Sequence, residues 1–299
     1  MSGPTSDSAT IVLVRHRYEC PLRWADLDLL GHVNNVVYVD YLQEARVDML
    51  RTHAPDRRAD ELAEGVVVVR HEVSYLAPLT FRFGPVSIEC WVTEVRAASF
   101  TMAYEIFDED EDGTRTTYVR ASTVLTPYVF ATERPRRLTT EEKDVLAPFV
   151  EEGGPGSARI APVTAWEPGH FALHVRFSDV DVYGHVNNVK YFEYLQEARI
   201  PLMRDLVEHV PGAGDIRVVV AQTDVDYKVP ILFRPEPYDV WSRVTHVGTR
   251  SFTVESEIRD GETVLSRARV VLVCFDPVTG RSVDPGPEHR AAMTAALEA

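Results

Sequence analysis

One set of residues with chemical potential occurs twice in this chain. In DLDLLGHVNN, from Asp26 to Asn35, a carboxylate at Asp28 precedes His32, Asn34 and Asn35 within seven residues. DVDVYGHVNN, from Asp179 to Asn188, repeats the arrangement with Asp181, His185, Asn187 and Asn188. A carboxylate can attack a carbonyl carbon or activate a water that does so. The residues that follow each Asn-Asn pair have helical spacing, so the pair falls where a helix begins. A helix N-terminus offers unpaired N–H donors and a partial positive charge, which suit a developing oxyanion. The two together are the parts of an ester or thioester hydrolysis site.

Plainer roles exist for each residue. Asn34 and Asn35 can cap a helix, His32 can serve as a structural hydrogen-bonding group, and Gly31 can supply a positive φ in a tight turn. Asp26 and Asp28 can be turn carboxylates. The duplication weighs against capping alone. Leu27/Val180, Leu29/Val182 and Leu30/Tyr183 differ between the copies, whereas both Asp, the Gly, the His and Asn-Asn are identical. A cap would also tolerate Ser or Thr. A calcium loop is excluded by its liganding positions. The fifth would be Leu30 or Tyr183, and the twelfth Val37 or Lys190 in place of Glu. No HExxH, GxSxG or Walker A pattern is present.

The elements that must position these residues are duplicated as well. GHVNNVVYVDYLQEAR (from Gly31) and GHVNNVKYFEYLQEAR (from Gly184) agree at 13 of 16 positions, at an offset of 153. SYLAPLTFRFGP (from Ser74) answers to DYKVPILFRPEP (from Asp226), and VRASTVLTPYVF (from Val119) to SRARVVLVCFDP (from Ser266). A period of that length is a domain rather than a solenoid repeat. We therefore expect a first domain over 10–150, a Gly/Pro-rich linker over 151–169 and a second domain over 170–299. In each copy a strand leads to the DxD segment. A helix should begin near Asn34 or Asn35 and run to about Thr52, with Tyr38, Tyr41, Leu42, Ala45 and Met49 on one face. β-branched segments then read as about four strands, and TTEEKDVLAPFV as a short closing helix. The expected fold class is α+β. One helix covers only one face of such a sheet, so two copies would pair to bury the rest.

The bulk composition narrows the partners. Acids outnumber bases 46 to 31, a net charge of −15, which argues against nucleic acid. No run approaches a membrane span, and MSGPTSDSAT reads as a short frayed tail rather than a secretory signal. Cys20, Cys90 and Cys274 form no paired pattern and read as incidental thiols of a reducing cytoplasm.

The pattern RxxDxDxxGHVNNxxYxxYxxxAR, present from Arg23 and again from Arg176, resembles the hotdog-fold thioesterases. The nearest groups are the 4-hydroxybenzoyl-CoA thioesterase-like acyl-CoA thioesterases and the acyl-ACP thioesterases. The resemblance implies two tandem hotdog domains, each an antiparallel sheet wrapped around a central helix, paired as an intrachain pseudo-dimer. It implies that the second Asp of each DxD pair, Asp28 and Asp181, is the catalytic carboxylate. It also implies that N–H groups around Asn34–Asn35 and Asn187–Asn188 polarise the thioester carbonyl. His32 and His185 match the His of the acyl-ACP enzymes, but the Asn of that group is replaced by Leu30 and Tyr183. Each half would complete the other's site. Arg82 and Arg234 are the candidates for CoA phosphates. The expected activity is a cytosolic acyl-CoA thioesterase with no metal or redox cofactor. An acyl carrier protein is the alternative thiol carrier, and a homodimer of the pseudo-dimer a further level of assembly. Two other readings are a non-catalytic acyl-thioester binding module and a hotdog enoyl-thioester hydratase or dehydratase. The latter resemble a D-x-N-P-x-H pattern, with Asp and His five apart; here they are four apart with no Pro between them.

Overall fold

The computed structural model describes residues 14–53, 65–151, 153, 158–181, 184–208, 210, 217–276 and 278–298. The tail segment 1–10, part of the linker and Tyr183 lie outside the described residues. In the first half, β1 (His16–Pro21) leads to the DxD segment and then to the central helix Val37–Thr52. Four strands follow: β2 (Val66–Tyr75), β3 (Pro85–Val95), β4 (Phe100–Glu109) and β5 (Arg115–Val129). The second half repeats this order with β7 (His170–Leu173), the central helix Lys190–Val207, β8 (Arg217–Tyr227), β9 (Tyr238–Val247), β10 (Ser251–Asp260) and β11 (Thr263–Asp276). Two short strands, β6 (Arg134–Pro135) and β12 (Arg281–Ser282), add to β5 and β11. The closing helices are Thr140–Leu146 and Pro287–Glu298. The first is capped by a reciprocal pair, Thr139 Oγ1 accepting from Glu142 N–H and the Glu142 carboxylate accepting from Thr139 N–H.

Both halves share one antiparallel sheet, in the order β1-β3-β4-β5-β2-β8-β11-β10-β9-β7. The first half is thus read outward from β2 and the second outward from β8. The β2–β8 register shows the two-fold relation directly. Glu72 lies opposite Asp224, Arg70 opposite Asp226 and Ser74 opposite Gln222, with His71 opposite Val225 and Val73 opposite Thr223. Each pair exchanges positions 152 residues apart in sequence, as expected for two copies of one strand meeting antiparallel. This is the paired double hotdog, and the pairing closes two sheet edges that would otherwise stay open.

The central helix packs where its spacing requires. Tyr38, Tyr41, Leu42, Ala45 and Met49 are all buried, against strand residues such as Val73, Ile88 and Tyr104. Its start differs from expectation. The first helical residue is Val37 and the N-cap position is Val36. Asn34 instead forms a turn before the helix. Its Oδ1 accepts from Val36 N–H at 3.1 Å and its carbonyl accepts from Val37 N–H at 2.9 Å. A side chain that bonds its own downstream backbone competes with helix at that point, so the helix begins three residues after Asn34. The three cysteines are free and buried.

The seam between the halves is polar on one face. The Arg70 guanidinium pairs with Asp226 across the seam, with Glu72 at 2.8 Å on its own strand, and with the Ala158 carbonyl at 2.7 Å. Arg70→Ala would leave these carboxylates without their cation beside buried Asp224, whose carboxyl burial already pushes up. Losing one member of a buried ion pair costs several kcal/mol. We expect a loss of about 3 kcal/mol, read as a lower thermal midpoint. An unchanged midpoint would show that β-strand pairing alone holds the seam.

Candidate active site

The DxD segment turns tightly in front of the central helix. Asp28 N–H donates to the His32 carbonyl at 2.8 Å, and Gly31 N–H to the Asp28 carbonyl at 3.1 Å. Gly31 has φ of 77° and its counterpart Gly184 of 83°, a backbone region that favours glycine. The side chain of Asp28 locks the same turn. Its Oδ1 accepts from Leu30 N–H at 2.8 Å and His32 N–H at 3.2 Å. Its other oxygen accepts no hydrogen bond among the described residues. In the second half Asp181 Oδ1 accepts from His185 N–H at 3.1 Å. The carboxylate is therefore fixed in the turn that precedes the central helix in both halves.

The first Asp of each pair has a different fate. Asp26 is 9% exposed and Asp179 is 5% exposed. Asp26 Oδ2 accepts from Arg23 N–H at 3.0 Å and from the Tyr41 hydroxyl at 2.5 Å. Asp179 Oδ2 accepts from Arg176 N–H at 2.9 Å and from the Tyr194 hydroxyl at 2.7 Å. Burial, then the neighbouring carboxylate, push both tyrosine hydroxyls well up, so they remain donors. Asp26 and Asp179 tie the loop to the helix.

Backbone donors between loop and helix are almost all committed. Val33 N–H donates to the Leu79 carbonyl, Asn34 N–H to the Asp26 carbonyl, and Val36 and Val37 N–H to Asn34. Asn35 N–H alone in this run has no acceptor among the described residues. The second half repeats this. Val186, Asn187, Val189 and Lys190 N–H groups are bonded, and Asn188 N–H has no acceptor among the described residues. The following peptide is pinned in each half: the Tyr75 hydroxyl donates to the Asn35 carbonyl at 2.8 Å, and the Tyr227 hydroxyl to the Asn188 carbonyl at 2.9 Å. These tyrosines stand in the repeated SYLAP and DYKVP segments. Their recurrence at equivalent places was the signal that could have marked them.

The imidazoles of His32 and His185 are half-buried and make no side-chain hydrogen bond among the described residues. His185 instead lies 6.2 Å, ring to ring, from Phe130 of the first half. Further contacts cross the seam at the second half's loop. Asn188 Oδ1 is 3.2 Å from His71 Nε2, and Asn188 Nδ2 donates to Gln43 Oε1 at 3.2 Å. A cleft of about 440 Å³ also spans the halves, lined by Asn34 and Asp40 of the first and Phe171, Arg176, Asp179 and Glu193 of the second. That is a size suited to a small organic ligand, and its rim is more acidic than basic.

Arg82 and Arg234, the expected phosphate ligands, are otherwise engaged. Arg82 pairs with both oxygens of Asp108 and donates to the Pro85 carbonyl at 2.8 Å. Arg234 pairs with Asp260 at 2.9 Å, and its guanidinium lies 3.7 Å over the Tyr238 ring. Each guanidinium already has a carboxylate at contact distance, which neutralises most of what it could offer a phosphate.

A family model described as the thioesterase-like superfamily matches residues 22–149 and again 175–293. The uncharacterized protein YsmA of Bacillus subtilis (strain 168) is 30% identical over 126 residues, covering 40% of this chain and 82% of YsmA. One such protein therefore corresponds to about one half of this chain. Among solved structures, one described as an oleoyl thioesterase from Lactobacillus plantarum superposes with a TM-score of 0.71, over 88% of this chain and 98% of that one, at 16% identity. The 12:0-ACP thioesterase from Umbellularia californica gives 0.66, over 87% and 94%, also at 16%. At that identity the likeness is one of fold. It extends over both halves.

Proposed function

We infer the activity from the premise that this chain belongs to the thioesterase-like superfamily: it hydrolyses an acyl-CoA, fatty or aryl, to the free acid and CoA. The observation that carries this reading is the open N–H of Asn35 and Asn188, each in a run of committed donors at the start of a central helix. A donor held in place by its committed neighbours needs no reorganisation when an acceptor arrives. It gains its partner when the thioester oxygen arrives, and gains more as that oxygen becomes negative. Asp28 and Asp181 supply the carboxylate, as base to a water or as nucleophile. The water's oxygen bonds to the acyl carbon, the carbon–sulfur bond breaks, and the proton taken from water returns to the departing thiolate.

Other residues take supporting places. Asn34 and Asn187 shape the turn that presents the open donor. His32 and His185 stand in the same turn, each with its N–H on the carboxylate. The cleft between the halves suits the neutral, amide-rich arm of the thiol carrier, with its phosphates outside in solvent. The charge of −15 sets the chain against an acidic carrier protein, and so favours CoA. The medium is the cytoplasm. No helix among the described residues is long and apolar enough to cross a membrane.

Thiol release from a panel of acyl-CoAs, short to long and aliphatic to aryl, tests the reading. Hydrolysis of at least one member above the uncatalysed rate is expected. Binding of a member without release would favour the non-catalytic binding module.

A further inference from the structure

Among the buried positions at which the two halves differ, one lies beside the second half's Asn188. Where the first half has His71, the strand register and the 152-residue offset place Thr223 in the second. The His71 side chain is fully buried. Its Nδ1 lies 2.9 Å from Thr123 Oγ1 and its Nε2 3.2 Å from Asn188 Oδ1. An amide oxygen only accepts, so Nε2 carries the hydrogen and Nδ1 accepts from the threonine hydroxyl. Burial first, and then the charge of nearby Arg46, push this imidazole down to about 3, so it stays neutral and the tautomer is fixed by its partners. The ring also packs edge-on against Phe192 and Tyr227 at 5.8 and 5.9 Å.

Asn188 is consequently held from three sides. Tyr227 takes its carbonyl, His71 its amide oxygen and Gln43 its amide nitrogen. Two of these, His71 and Gln43, belong to the other half. Among the described residues the first half's Asn35 has only the Tyr75 hydroxyl on its carbonyl as a matching tie, with Thr223 at that same hydroxyl. No counterpart of the Asn188–Gln43 bond joins Asn35 to Gln196 among the described residues.

We propose that His71 is a positioning residue for the second half's site: from across the seam it fixes Asn188, whose backbone N–H receives the thioester oxygen, and makes this the faster of the two sites. The inference rests on the thioesterase reading. It makes the chain an asymmetric pair, in which the first half has taken on support of its neighbour.

The test uses single-site backgrounds. Asp28→Asn leaves the second site working and Asp181→Asn leaves the first. In the Asp28→Asn background, His71→Thr should lower kcat about 10- to 100-fold, the scale of a misplaced catalytic group, with little change in KM. In the Asp181→Asn background it should leave kcat unchanged. His71→Gln, whose amide nitrogen can replace Nε2, should restore the loss. Should His71→Thr not fold, His71→Asn serves, because it keeps the Thr123 contact but is too short for Asn188. An equal fall in both backgrounds, no fall, no restoration by Gln, or an inactive Asp28→Asn protein overturns the proposal. A wild type that hydrolyses no thioester removes the thioesterase reading itself, and this inference with it, and is seen before any variant is made.

Discussion

Asp28→Asn combined with Asp181→Asn lowers kcat for thioester hydrolysis by about 10²–10⁴-fold, the contribution expected of a positioned acid–base group. The substitution is nearly isosteric. Asn keeps an amide oxygen where Asp28 Oδ1 accepts from Leu30 and His32 N–H, so the turn and the open donor at Asn35 persist. What is lost is the negative charge and the basic oxygen. The fall should therefore appear in kcat far more than in KM, with the melting temperature almost unchanged. The single variants divide the activity between the halves, and the Asp28→Asn protein should retain the larger share. If the double variant keeps full activity, the second Asp of each pair belongs to the turn alone.

The other carboxylate of the pair gives the opposite result. Asp26→Ala destabilises the protein by about 1–3 kcal/mol, the usual cost of one buried polar group left unpaired. Two groups lose their acceptor, the Tyr41 hydroxyl and the Arg23 N–H. The Tyr41 side chain is buried, whereas Arg23 is exposed and its N–H can turn to water. Thermal unfolding measures the effect. Asp26→Ala and Asp28→Asn thus separate fold from chemistry two residues apart. A melting temperature equal to wild type for Asp26→Ala would show that the loop is held by something else, and would reopen the assignment of roles within the pair.

Much of this was legible before any coordinates. The duplication is written in the identities themselves, and the helix face in the spacing of Tyr38, Tyr41, Leu42, Ala45 and Met49, all of which are buried. The alternation of β3 and β4 reads correctly because each places one face on the helix. What could not be read depends on partners distant in sequence. Asn34 looked like a helix cap, and only its bonds to Val36 and Val37 N–H show that it starts a turn before the helix instead. Arg82 and Arg234 looked free, but each meets an acid 26 residues away, on β4 and β10 respectively. His71 carried no signal at all. It is one of several polar residues in β2, and its meaning lies in Asn188, 117 residues on and in the other half.

One arrangement carries the account: a carboxylate and an open backbone donor at each helix start. The most direct measurement is multiple-turnover thiol release by the wild type, followed with a thiol-trapping reagent alongside binding of the same acyl-CoA. The account predicts release of many equivalents of CoA per chain, at a rate that saturates with substrate. Saturable binding of every acyl-CoA tried, with the thioester intact at the end, would contradict it and make this fold a carrier of acyl groups rather than their hydrolase.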